Sequence, residues 1–370
     1  MNSQLQILLV EPYYTGSHKS WADSYKENSN HQITILSLKG QFWKWRMHGG
    51  AVTLAKEFNR SKLSPDLIVA TDMLDLTTFL SLTRAKTSAI PTAIYFHENQ
   101  LSYPWSPSDR DVKNSTQKHY GFINYTSALT SDHVIYNSNY HKSSFENELK
   151  ALLKNYPDHN ELDSINGIQA KGSVLNIGLD LKRFNAHKNL NSGPPLILWN
   201  HRWEYDKNPD AFFKSLFRLD RDGVDFQLAV LGESFNKAPA IFNKAEKKLK
   251  KKIVHFGYCE SFDDYAKWLW KSDIIPVTNI QDFFGMSIME AVYCDTYPLL
   301  PNRLTYPELL DDSFHNDHIY QNENDLFFKL EKILSNIDKV REMEFNKIAS
   351  VYDWSIMVKK YDNLFSSFIK

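Results

Sequence analysis

Short apolar runs rich in β-branched residues recur along the chain, each followed by a longer stretch whose apolar positions return every three or four residues. The runs predict strands at Gln6–Val10, Ile33–Leu38, Leu67–Ala70, Thr92–Phe96, Val134–Asn137 and Val174–Ile177. A second series follows at Leu196–Trp199, Gln227–Leu231, Ile253–Phe256, Ile274–Val277 and Tyr297–Leu300. Strand and helix in alternation predict an α/β chain of two doubly wound, Rossmann-like parallel sheets. The polar, Gly- and Pro-containing stretch Phe184–Pro195 separates the two series and reads as the linker. The expected division is a first domain at 1–188, a second at 189–353, and a final helix at 354–370 that packs back on the first. Ligands of such sheets bind beyond the carboxyl ends of the strands, so the active site is expected in the cleft between the halves.

Composition narrows this picture. A chain of 370 residues exceeds one ordinary core, which agrees with two domains. Residues 1–190 carry 20 Lys+Arg against 17 Asp+Glu, and the remainder 23 against 27, so any nucleic-acid partner must be held by local basic patches. Cys259 and Cys294 stand far apart with no CxxC, which argues against a disulfide framework or a zinc site. No apolar run approaches the roughly 18 residues of a membrane span. The expectation is a cytoplasmic protein without a membrane partner; its oligomeric state is open.

Candidate chemistry begins at Asp282-Phe283-Phe284-Gly285-Met286-Ser287-Ile288-Met289-Glu290, where a strand leads through a glycine into a helix. Gly285 lets that helix start with free N–H groups facing a phosphate, while Glu290 follows about one and a half turns on. Two carboxylates, Asp282 and Glu290, then flank a phosphate and suit hydroxyls at both ends of one extended ligand. Arg202 and Lys207 follow strand Leu196–Trp199 and suit a diphosphate, the first as a fork and the second as a point charge. Ion pairs to Glu204 and Asp206 in a solvated loop are the plainer reading.

In the first half, Gly16 follows strand Gln6–Val10 and permits close approach of an anion, with Ser17 as the helix N-cap; a simple tight turn is the rival. The strand Thr92–Phe96 delivers His97, Glu98, Asn99 and Gln100 at its carboxyl edge, which points to a polar ligand. The segment Lys39–Gly50, read as a loop, interleaves Lys44 and Arg46 with Trp43 and Trp45, offering either phosphate contacts with stacking faces or aromatic packing. Lys244–Lys252 reads as the solvated face of a helix, and Tyr258 as a neighbour of the donor base.

Together these residues resemble the retaining glycosyltransferases of the GT-B fold, family 4. The likeness lies in Asp282 to Glu290 as the Glu-x7-Glu motif, the Arg202/Lys207 pair, the Gly16 loop, His97, and Gly178-Leu179-Asp180 with Arg183-Phe184. The first half is more closely similar to the tRNA-queuosine alpha-mannosyltransferase branch, through Glu11–Lys19, Trp43–Arg46 and Tyr95–Pro104. Asp282 departs from the family's first glutamate by one methylene.

The resemblance implies GDP-mannose as donor and the cyclopentenediol of queuosine at a tRNA wobble position as acceptor. It implies a diphosphate held by Arg202, Lys207, the Gly16 loop and the N–H groups of Gly285 and Met286 after Phe284. Glu290 is implied to take the ribose, Asp282 the sugar hydroxyls, and His97 the sugar from the facing domain. His18, Lys44, Trp45, Arg46, Glu98, Asn99 and Gln100 are implied to meet the acceptor. No cofactor and no metal are implied. A lipid or polysaccharide acceptor, another nucleotide sugar, or a non-catalytic nucleotide-binding protein remain the competing readings.

Overall fold

A computed structural model describes residues 4–105, 109–113, 117–234 and 238–369. The chain divides into two compact units, one of residues 1–179 with 354–370 and one of residues 180–353.

The first unit holds strands β1 (Gln6–Tyr14), β2 (Gln32–Lys39), β3 (Leu67–Thr71), β4 (Thr92–Phe96), β5 (His133–Tyr136) and β6 (Gly172–Val174). They form one parallel sheet in the order β2-β1-β3-β4-β5-β6. β3 and β4 are buried along their whole length, as a sheet covered by helices on both faces requires. The sixth strand lies two residues before the expected Val174–Ile177, paired through Gly172 to Val174 with Val134 to Tyr136.

The second unit holds β7 (Leu196–Trp199), β8 (Gln227–Val230), β9 (Ile253–Phe256), β10 (Ile274–Pro276), β11 (Tyr297–Pro301) and β12 (Ile319–Tyr320). Their order is β12-β11-β10-β7-β8-β9, again parallel. The two-residue β12 is too short to leave a periodic signal in the sequence.

The division falls between Leu179 and Asp180 rather than at 188. Lys182–His187 is a 3-10 helix committed to the second unit: the Phe184 ring packs edge-on to Phe262, and its carbonyl accepts Trp270 Nε1 at 2.7 Å. The last helix, Trp354–Ser367, belongs to the first unit. Its buried Asp362 accepts from Tyr25 OH (3.0 Å), Ser29 Oγ (2.6 Å) and Asn30 N (2.9 Å). Among the described residues no helix is long and apolar enough to cross a membrane.

Candidate functional site

In each sheet the strand order reverses beside the first strand of its unit, and the loops leaving that point carry the polar side chains. In the second unit the reversal lies between β7 and β10. After β10, Asn279, Gln281 and Asp282 lead to Gly285, whose φ of 89° places it in the left-handed region that glycine occupies without penalty. The helix Met286–Tyr293 starts directly behind it and presents its unpaired first-turn N–H groups at the sheet edge. Lys207 ends a 3-10 turn after β7; its Nζ donates to Gln281 O at 3.2 Å and lies 2.9 Å from Asp206 Oδ2. Its side chain is largely buried while Arg202 is half exposed, with Nη2 3.3 Å from Glu204 Oε2. Both ion pairs of the plainer reading are therefore present, and the two cations still sit beside the helix start.

Glu290 stands on the next turn of that helix and accepts from Tyr265 OH at 2.8 Å, with Arg183 Nη2 3.6 Å away. Burial raises its carboxyl above the ordinary value, against the Tyr265 hydrogen bond and the Arg183 charge. Asp282 accepts at Oδ1 from Phe284 N (3.4 Å) and at Oδ2 from Asn279 Nδ2 and Tyr306 OH (both 3.2 Å). The carboxylate thus braces the loop that shapes the helix start. Tyr258 follows β9 and is 57% exposed.

Four buried atoms near this edge have no hydrogen-bond partner among the described residues: Asn200 Oδ1, His201 Nε2, Asn279 Oδ1 and Gln281 Nε2. Buried polar atoms are seldom left so, since each costs about 1–3 kcal/mol, and their clustering marks a ligand position. Burial and the Lys207 charge hold His201 neutral, at about 3. These four residues escaped sequence reasoning, although Asn200 and His201 directly follow an apolar strand, the same signal that singled out His97. Tyr265, Arg183 and Tyr306 come from distant segments and left no local signal.

In the first unit β1, β3 and β4 end side by side. Gly16 has a φ of 51°, and nothing lies within 4 Å of where its Cβ would be, so the turn is open to close approach. Thr15, not Ser17, occupies the N-cap of helix Gly16–Asn28, because Gly16 itself already takes the first helical position. Glu11 and His18 are buried, with His18 Nδ1 2.8 Å from Glu11 Oε2. His97 lies against them, its ring centroid 4.3 Å from that of His18 and 4.6 Å from that of Trp21. Its backbone N–H donates to Asp72 Oδ1 at 2.7 Å, yet both its ring nitrogens are buried without a partner. Ligand atoms of Glu11, His18 and His97 all lie within 4.8 Å of one another.

The rest of the strand end is wired to itself. Glu98 Oε1 accepts from Gln100 Nε2 at 2.9 Å, and Asn99 Oδ1 accepts from Leu101 N and Ser102 N at 3.1 and 2.9 Å. Gln100 N donates to Asn124 Oδ1. Asn99 keeps a buried, unpartnered Nδ2.

The expected loop at Lys39–Gly50 is corrected by the structure: helix Trp43–Arg60 starts inside it. Phe42, at φ 53°, caps that helix, and its carbonyl accepts from Trp45 N and Arg46 N. Trp43 packs on Trp105 and Tyr120, and Lys44 is held by Asp109 and Asp111, each 2.6 Å away. Trp45 is different. It is 63% exposed beside a 77% exposed Phe42, and its indole lies so close over Gly49 that a Cβ there would come within 2.4 Å of the ring. Arg46 Nε donates to Lys39 O.

Two parallel doubly wound units, with a cation pair and a glycine-headed helix at the switch point of the second, define a glycosyltransferase of the GT-B fold. Residues 182–348 match the family described as Glycosyl transferases group 1, and residues 6–179 match tRNA-queuosine alpha-mannosyltransferase N-terminal. The tRNA-queuosine alpha-mannosyltransferase of Drosophila melanogaster is 34% identical over 334 residues, 88% of this chain and 85% of that protein. The chain belongs to the tRNA-queuosine alpha-mannosyltransferase family. In fold it is similar to sucrose-phosphate synthase from Thermosynechococcus elongatus (TM-score 0.70, 12% identity, 98% of each chain). Anabaena HepE in complex with UDP is also similar (TM-score 0.67, 14% identity, 98% of this chain and 100% of that one).

Proposed function

We propose that this chain transfers mannose, with retention of configuration, from GDP-mannose to the cyclopentenediol of queuosine in tRNA. The observation that carries the donor side is the group around Gly285: Lys207, the open helix start, Glu290 and four unpartnered buried polar atoms at one switch point. Arg202 and Lys207 take the charge that grows on the departing diphosphate, and the N–H groups after Phe284 share it. Departure in this reading needs no metal. Glu290 receives the ribose hydroxyls in place of its Tyr265 and Arg183 partners. Tyr258 and Asp282 are assigned to the base and to the sugar, the latter through the free lone pairs of its braced carboxylate.

The acceptor side rests on the first unit and on the 34% identity to a protein named for this reaction. Exposed Trp45 offers a stacking face and Arg46 a charge, as recognition of an unpaired nucleotide uses. Arg202→Ala and Lys207→Ala are each expected to slow transfer by about two orders of magnitude, measured as label moved from GDP-mannose to queuosine-containing tRNA. Near-normal turnover in both variants would remove the diphosphate assignment. A chelator is expected to leave turnover unchanged.

A further inference from the structure

Helix Gly16–Asn28 and the ends of β1 and β4 bring together three groups that the donor assignment leaves idle: Glu11, His18 and His97. Glu11 is fully buried. Its Oε1 accepts from Tyr13 N at 2.7 Å and its Oε2 faces His18 Nδ1 at 2.8 Å, so its orientation is fixed from two sides. With Nδ1 committed to Glu11, His18 has Nε2 left for a ligand. His97 brings two buried, unpartnered ring nitrogens to the same place, on a floor of Trp21 and Tyr95.

We propose that His18 and His97, braced by Glu11, form a seat for a vicinal diol. This rests on the proposed function, whose acceptor and donor sugar both carry adjacent hydroxyls. Burial opposes charge on His18, but the Glu11 carboxylate outweighs it, with Asp72 and Glu98 adding, and lifts the imidazole to about 9. Burial, the His18 charge and His141 push His97 well below its ordinary value. One ring is therefore a donor only, and its neighbour is a neutral imidazole with one donor and one acceptor nitrogen. Two adjacent hydroxyls, each able to give and take a hydrogen bond, complement that pair. A phosphate does not, because Glu11, Asp72 and Glu98 all border the site and repel an anion. Glu11 is a positioning residue, since it acts through His18.

The test uses the full chain. Binding is measured for tRNA bearing queuosine, for the same tRNA whose modified base lacks the cyclopentenediol, and for GDP-mannose against GDP. Wild type is expected to prefer the ligand that carries the diol. Glu11→Gln keeps the acceptor for Tyr13 N but removes the charge, and should cut that preference by about ten-fold or more, the scale of an unmade buried hydrogen bond. Loss of the preference among the tRNAs assigns the seat to the acceptor, and loss of the preference for GDP-mannose assigns it to the donor sugar. If neither preference changes, the seat is wrong. Absence of any diol preference in wild type removes the proposed acceptor instead.

Imidazole NMR titration reads the pair without activity: His18 should titrate above pH 8 in wild type and acid of pH 7 in Glu11→Gln, while His97 stays neutral. Should Glu11→Gln not fold, His18→Gln carries the same binding comparison. A stoichiometric divalent metal retained through dialysis, and lost in His97→Gln, would overturn the proposal by making the three groups its ligands.

Discussion

Asp282 and His18 show how a single charged group can serve the fold and the site together. The Asp282 carboxylate binds Tyr306 OH, which is fully buried, so Asp282→Ala leaves a phenol without its partner. The expected cost is about 1–3 kcal/mol, measured by urea denaturation, in addition to any loss of transfer. His18 gives a pH signature. Its folded value of about 9 lies above its ordinary 6.5, so the stability it contributes is complete below about pH 6.5 and is lost as pH rises through 9. The total is at most about 3 kcal/mol. Wild type should therefore lose its stability advantage over His18→Gln between pH 6.5 and 9; an advantage that grows over that range would contradict the ion pair.

Helix Trp43–Arg60 turns a mixed aromatic and basic segment into a presented surface. Trp43 and Lys44 face inward to Trp105, Tyr120, Asp109 and Asp111, and Trp45 and Phe42 face out. Trp45→Ala with Arg46→Ala should weaken tRNA binding while GDP-mannose binding is unchanged; unaltered tRNA affinity would return the segment to a packing role. Gly49→Ala should act similarly by pushing the indole off its place, with the helix itself slightly favoured. The sequence pattern could not separate the two tryptophans, because which one packs depends on Trp105 and Tyr120, some 60 to 80 residues away. Strands were more legible. Thr92–Phe96, Leu196–Trp199 and Ile253–Phe256 lie where their apolar runs predict, since burial on both faces leaves an uninterrupted run. Lys182–His187 was less so, for its polar composition suggests a linker while the one buried ring of Phe184 decides its place.

At the scale of the whole chain, two sheets with different strand orders divide the labour. The second, in the order β9-β8-β7-β10-β11-β12 read from its other edge, places Lys207 and the Gly285 helix at one switch point, the arrangement suited to a nucleotide. The first, β2-β1-β3-β4-β5-β6, gathers Glu11, Asp72 and His97 at its own, where the carboxylates disfavour a phosphate and favour hydroxyls. The motifs that were legible in sequence are those that one strand end or helix start delivers, as with His97 and Gly285. The pairings that fix them, Glu11 with His18 and Asp282 with Tyr306, arise from the fold. The most direct measurement of the account is mass analysis of tRNA nucleosides after incubating the protein with queuosine-containing tRNA and, separately, GDP-mannose and other nucleotide sugars. Queuosine should gain the mass of one hexose with GDP-mannose, and Lys207→Ala should abolish most of that gain. Unmodified queuosine with every donor would contradict the account.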